Sequence, residues 1–319
     1  MIKDKELIKK IIGIGVPIAL QNFVFSMVNF ADVFMIGKLG ETSLAAVGLS
    51  NQISFLLNLL MFGITSGAGV LTAQYWGDND IKSIKKVLGL SLVLSIICSS
   101  IFFIGARFYS EELLMVYTKD SAVILLGAKY LKLIGFSYII WAFSFVYVLQ
   151  LRSIGVTKIS LYASCASLLI NVVFNYILIF GKFGFKAYGV EGAAVATVFA
   201  RLVEFLVVIF YVYINKLPVA AKVNEMFGYH FDFIKNYINI SLPVILNESI
   251  WALGINSYAM IYARMSTSAV ATINVVSSIE RVVFVAFIGL ASATSVVIGN
   301  TIGAGEEDKA RSEERRVGK

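Results

Sequence analysis

Four side chains in this 319-residue sequence have the chemistry to hold a cation together: Asp32, Asn171, Asn175 and Thr197. Asp32 stands in a long apolar run with no basic residue within a helical turn. A charge at the centre of a bilayer costs roughly 2.5–3.5 kcal/mol even on the lenient insertion scale, so an unpaired acid there is a functional candidate. A carboxylate held away from bulk water takes up a proton, or is satisfied by a cation and hydrogen-bond donors. Asn171 and Asn175 are four apart and so share one helical face, and Thr197 lies in the next apolar run. An acid, two amides and a hydroxyl would form an oxygen-lined pocket for a proton or Na+ if their helices converge. Taken alone, buried amides also serve simply to bridge helices.

Glu248 is a second acid in an apolar run without a basic neighbour, and it is the other candidate for coupling. Two further sites carry opposite charges at close spacing, Arg201 with Glu204 and Glu280 with Arg281, where mutual neutralisation is a sufficient explanation. Catalysis finds little support. There is no phosphate-binding glycine loop between strand and helix, no cluster of metal ligands, and a single histidine, His230, which reads as a solvated loop residue. Cys98 and Cys165 lie in apolar runs and read as packing residues. No cofactor and no metal site is implied beyond Na+ at the ion-coupling residues.

The elements that must position these groups are membrane helices. The chain is 58% hydrophobic and 15% charged, and its mean hydropathy is +0.82, far from the balance of a soluble domain. Runs long enough to span a bilayer fall at about Ile11–Ile36, Leu44–Thr72, Val87–Phe108, Ala122–Gln150, Ile159–Phe180, Gly189–Ile214, Phe233–Tyr262 and Ala269–Ile298. They lack the period-2 alternation of barrel strands. Gly63, Gly67 and Gly69, with Gly189, Gly192 and the alanines around them, read as close-packing positions within these helices.

Charge sets the orientation. Twelve basic residues fall on the amino-terminal side: Lys3, Lys5, Lys9, Lys10, Lys82, Lys85, Lys86, Arg152, Lys158, Lys216, Lys222 and Lys235. Six fall on the other side (Lys38, Arg107, Lys119, Lys182, Lys186 and Arg264), or eight with Lys129 and Lys132. The excess of basic loops predicts a cytoplasmic amino terminus and accounts for the net charge of +7 without nucleic acid. The first run is too long for a cleavable signal and is expected to stay inserted.

The stretch Ile11–Asp78 recurs without a gap at Tyr237–Ala304, 226 positions later. Pro17 returns as Pro243, Lys38 as Arg264, Ala45 as Ala271, Gly63 as Gly289, Gln74 as Asn300 and Gly77 as Gly303. The two prolines predict helix bends, because each removes a backbone hydrogen bond. Duplicated bundles of this kind build many secondary transporters, with the sites between the halves. The predicted fold is an all-α polytopic membrane bundle of two parallel-repeat lobes of six helices, the second stopping after about two. The domains are residues 1–215 (first lobe), 216–232 (cytoplasmic linker, with Pro218 and His230) and 233–310 (start of the second lobe). Residues 311–319, RSEERRVGK, resemble a translated sequencing adapter and are expected to be non-native; a basic cytoplasmic tail is the alternative.

Several segments carry a family resemblance. ADVFMIGKLG (31–40), LTAQYWGDND (71–80), NVVFNYILIFGKFGFKAYGVEGAAVATVFAR (171–201) and VVIGNTIGAGEEDKA (296–310) together resemble the multidrug and toxic compound extrusion (MATE) transporters. The resemblance implies twelve helices in two six-helix lobes around a cleft open alternately to each side. It also implies export of organic cations against inward Na+ or protons, from the cell (inner) membrane, by a monomer when full length. It assigns ion coupling to Asp32, Asn171, Asn175 and Thr197, with Pro17 as the bend. Where the best-described members carry a second acid this chain has Asn175, which lowers the charge available to Na+. Another branch uses an acid that corresponds to Glu248. The rival transport reading is a flippase for lipid-linked oligosaccharides, whose anionic cargo calls for more intramembrane bases than Arg201 and Arg281.

Overall fold

The computed structural model describes the backbone of residues 5–265 and 267–311, with side chains described for these except 5–7 and parts of 252–286. The eight predicted runs form eight long helices: α1 (Lys5–Gly37), α2 (Glu41–Gly77), α3 (Ile81–Phe108), α5 (Ser121–Ser153), α6 (Lys158–Phe180), α7 (Gly189–Ile214), α9 (Phe231–Met265) and α10 (Thr267–Gly303). Two short helices, α4 (Ser110–Met115) and α8 (Val223–Met226), lie between them. Most of the long helices outrun their apolar stretches, because polar residues extend the turns at the ends. Asp80, for example, caps α3 by accepting from the Ser83 amide at 3.0 Å. The bonds from Ser83 hold its carboxyl below the usual carboxylate range.

Six of the long helices, α1, α2, α3, α5, α6 and α7, are long and apolar enough to cross a membrane among the described residues. Large apolar side chains cover their outer faces. On α3, Ile97, Ile101, Ile104 and Phe108 are all exposed at spacings of four, three and four, a stripe suited to lipid and not to water. Buried positions hold serine, threonine and amide groups that bond across helices, as Ser50 of α2 does to the Gly127 carbonyl of α5 at 3.2 Å. Within the first six long helices α5 is central, packing on α2, α3 and α7, while α6 lies between α1 and α7.

The repeat shows itself in the packing. Gly63 of α2 lies against Ile245 of α9, and Gly289 of α10 lies against Ala19 of α1, the same contact 226 residues on. Gly67 meets Ser241, and its counterpart Ala293 meets Gly15. Gly77 presses on the Asn300 carbonyl while Gly303 presses on that of Gln74, so equivalent residues meet one another across the pseudo-symmetry axis. With its amide nitrogen turned toward them, Asn300 can also donate to the carbonyls of Ala73 at 2.8 Å and Ser153 at 3.3 Å. Small residues are needed here because any side chain would force the helix backbones apart.

Three expectations change in detail. The connection from Lys216 to Asp232, expected as a linker, has structure of its own. It contains α8, Glu225 pairs with Lys85 of α3 at 2.7 Å, and Met226 packs on Gly89; Asp232 already belongs to α9. His230 is exposed, as expected, and its carbonyl accepts from the Phe233 amide at 3.0 Å. Lys129 and Lys132 lie within α5 and approach Glu191 and Glu111 at 3.6 and 3.7 Å. Arg152, counted above with the loop bases, is in the last turn of α5 and turns inward. Pro17 and Pro243 sit inside the continuous helices α1 and α9, where each leaves one carbonyl, Gly13 and Asn239 in turn, without its helical donor. Glu280, Arg281, Arg264 and residues 312–319 lie outside the described side chains.

The close contact of α2 with α10 is testable with a buried reporter. With Cys98 and Cys165 replaced by alanine, Ala73→Cys, at a position 2% exposed, is expected to resist a water-soluble maleimide. Adding Gly303→Leu should open the contact and make the thiol react, since overpacking of a tight interface costs about 1–3 kcal/mol.

Candidate functional site

The site is assembled on three helices whose polar residues recur at helical spacing. On α6, Ser164, Asn171 and Asn175 lie seven and four apart, and on α7, Thr197, Arg201 and Glu204 lie four and three apart, so each trio forms one stripe. On α1, Gln21 and Asp32 are eleven apart, three turns along the same face and roughly 16 Å in rise. Because α6 packs against both α1 and α7, the three stripes meet.

Toward the end of α1 farther from the amino terminus, the Asn175 amide nitrogen donates to Asp32 Oδ1. The same nitrogen donates to Asn171 Oδ1 at 3.1 Å. The Asn171 amide donates to Thr197 Oγ1 at 3.3 Å, and that hydroxyl donates to the Ala193 carbonyl at 3.0 Å. Asn171 and Asn175 are fully buried. Asn175 Oδ1 is buried with no hydrogen-bond partner. A buried acceptor without a donor is costly, and here it stands beside a carboxylate. Asp32 Oδ, Asn171 Oδ1, Asn175 Oδ1 and Thr197 Oγ1 are the hard oxygen donors that a small cation prefers. The four residues named from sequence are therefore brought together in one hydrogen-bonded cluster.

About two turns away lies a second polar group that sequence reading found only in part. Arg201 pairs with Glu204 at 2.9 Å, as their spacing suggests. Glu204 also accepts from Ser164 at 3.1 Å, and Ser164 Oγ accepts from Gln21 at 3.1 Å. Gln21 in turn accepts from Arg152 at 2.6 Å. Gln21, Ser164 and Glu204 are each 7% exposed. The missed members, Gln21, Ser164 and Arg152, had one available signal: Gln21 and Ser164 repeat at three-turn and two-turn spacing from residues already singled out. Tyr130 of α5, buried and in electrostatic reach of both Asp32 and Arg201, was also missed.

Glu248 is half-buried on α9, which packs on α2 and α10. Among the described residues it takes no part in the Asp32 cluster, and its neighbours on α10 fall largely outside them.

The repeated helices carry an acid-centred polar cluster in their first half, and comparison with known proteins gives the family. The MatE family profile matches residues 17–177 and again 243–317, and the two matches begin at Pro17 and Pro243, 243 − 17 = 226 residues apart. The chain belongs to the MatE family of multi-pass membrane transporters.

It is 25% identical over 299 residues to "Uncharacterized transporter YisQ" of Bacillus subtilis, covering 92% of this chain and 64% of that protein. It is 25% identical to "Probable multidrug resistance protein YoeA" of the same organism, covering 93% and 65%, and 24% identical to "Probable multidrug resistance protein NorM" of Thermotoga maritima, covering 95% and 65%. The chain thus spans about two thirds of the length of these relatives, 64–65%. Among solved structures, "Crystal structure of MATE in the bent conformation" superposes with a TM-score of 0.86 at 24% identity, covering 98% of this chain and 69% of that one. "Outward-facing conformation of a multidrug resistance MATE family transporter of the MOP superfamily" gives 0.85 at 24%, covering 97% and 68%. These two likenesses show the fold.

Cation affinity rises with the charge supplied by the ligands. Asn175→Asp would place a second carboxylate beside Asp32. It is expected to strengthen sodium-22 binding by purified protein by about tenfold, the equivalent of 1.4 kcal/mol. Unchanged binding would show that Na+ does not sit there.

Proposed function

We propose that this chain forms the larger part of a secondary antiporter of the cell (inner) membrane, with its amino terminus in the cytoplasm, exporting small organic cations in exchange for protons or Na+. The observation that carries the reading is the Asp32 carboxylate set among Asn171, Asn175 and Thr197, with the Asn175 oxygen left unpaired. An acid in this setting holds one exchangeable positive charge. The reading extends the names of the relatives, two of which are probable multidrug resistance proteins, and it treats the transporter as a monomer that needs no cofactor.

In the proposed cycle Asp32 takes a proton or Na+ from the outside, with the side-chain oxygens of Asn171, Asn175 and Thr197 completing its surroundings. Neutralising Asp32 removes the charge that draws the end of α1 toward α6 and α7, and the carbonyl freed at Gly13 by Pro17 lets α1 bend below it. Discharge of the cation to the cytoplasm restores the starting arrangement. Each inward positive charge contributes about 2.3 kcal/mol per 100 mV of membrane potential. The basic loops on the amino-terminal side give the orientation. Organic cations are favoured as cargo because the intramembrane bases of the cluster are engaged within the protein, Arg201 by Glu204 and Arg152 by Gln21.

The test is ethidium efflux from cells expressing the gene's whole reading frame. Asp32→Asn is expected to abolish efflux at wild-type membrane abundance, because the amide cannot bind the coupling charge. Retained efflux would remove Asp32 from coupling. Loss of efflux in Glu248→Gln with none in Asp32→Asn would move the coupling acid to α9.

A further inference from the structure

Arg201 lies at the junction of the two polar clusters. Its guanidinium bonds Glu204 at 2.9 Å and stands 5.3 Å from the centre of the Phe25 ring of α1 and 6.0 Å from that of Trp141 of α5. It also lies one helical turn along α7 from Thr197, which is bonded into the Asp32 cluster through Asn171 and Asn175. It thus acts on the Asp32 charge through space, with no hydrogen bond between the two. One base therefore serves two acids, paired in contact with one and through space with the other.

The far side of Glu204 is already provided for. It accepts from Ser164 at 3.1 Å and is linked through Ser164 and Gln21 to Arg152 on α5. Arg152 and Ser164 both bond Gln21, at 2.6 and 3.1 Å, one helical turn beyond Pro17. Gln21 thus ties α1 near its proline to the same group that holds Arg201. The charged and titratable groups around Arg201 and Glu204 are Asp32 on α1, and Tyr130 and Arg152 on α5. With Asp32 and Glu204 ionised, the two acids balance Arg152 and Arg201. A cation at Asp32 leaves this buried set with one positive charge in excess, in surroundings where such an imbalance is expensive.

We propose that Arg201 is a positioning residue for coupling, a counter-charge shared between Asp32 and Glu204 whose balance reports the occupancy of Asp32 to the Gln21 clasp beside Pro17. This rests on the reading of Asp32 as the coupling acid. When Asp32 is empty, its charge competes with Glu204 for Arg201. When a cation occupies Asp32, Arg201 is repelled and belongs wholly to Glu204. The pull on Ser164 and Gln21 then changes at the point where α1 is weakest. Arg201 touches neither cargo nor ion in this scheme.

Opposite charges in the two partners give opposite expectations, which a purely structural pair would not. In everted vesicles from cells expressing the whole reading frame, ethidium transport is driven by a graded Na+ or proton gradient, and the half-saturating driving cation is separated from the maximal rate. Arg201→Gln removes a positive charge from the surroundings of Asp32. It is expected to lower the half-saturating cation by about tenfold, the order of effect of one unit charge acting through an effective dielectric near 20, while also lowering the maximal rate. Glu204→Gln leaves Arg201 to Asp32 alone and is expected to raise the half-saturating cation. Arg201→Lys should restore the wild-type value.

Shifts of the same sign, no shift, or failure of lysine to restore the value would overturn the proposal. If Arg201→Gln does not reach the membrane, Glu204→Gln decides alone: a raised value supports the shared counter-charge and an unchanged value overturns it. Wild-type vesicles in which neither gradient moves ethidium would instead overturn the antiporter reading itself, and this inference with it.

Discussion

A charge placed among apolar helices must be answered by other buried groups, and this constraint binds α1, α5, α6 and α7 together. Arg201 pairs with Glu204, Arg152 is held by Gln21 and Asp32 by Asn175, and these bonds, continued through Ser164, Asn171 and Thr197, tie together α1, α5, α6 and α7. Separating any of these helices would strand a polar group in hydrocarbon, at several kcal/mol per unsatisfied group. The apolar surface carries no comparable information, since lipid-facing positions such as Ile101 and Phe108 need only be greasy.

Contacts between the repeats obey a different rule. No charge is involved where Gly63, Gly67, Gly77, Gly289 and Gly303 bring α2 and α10 onto their neighbours. Such contacts rest on van der Waals packing, which is favourable when the backbones are close and forms and breaks without stranding a charge. Around Asn300, two hydrogen bonds to carbonyls supplement it. The first half is thus held by paired charges and hydrogen bonds, and its contacts with α9 and α10 by close packing of small residues.

The sequence made the helices legible because lipid imposes long uninterrupted apolar runs. It made the Asp32 cluster legible because an acid in such a run is costly and the α6 amides keep helical spacing. The 226-residue repeat was visible in its small residues and prolines for the reason just given: those are the positions where helix backbones nearly touch. Arg152 was misplaced because it follows an apolar run and so looks like a loop base; only the structure shows α5 continuing and turning that side chain toward Gln21. Ser164 and Gln21 were passed over because single uncharged polar residues are common in membrane helices, and their meaning depends on what faces them. The reach of Arg201 to Asp32, between residues 169 positions apart (201 − 32), has no local signature at all.

The proposed cycle turns on one cation being held at Asp32 and given up in exchange for cargo. The direct measurement is the cation released when ethidium binds to the purified protein of the whole reading frame, followed with a sodium electrode and a pH dye. The account predicts release of Na+ or protons from the wild type on saturation with ethidium and none from Asp32→Asn. Equal release from both proteins, or ethidium binding to the wild type with no release, would contradict it.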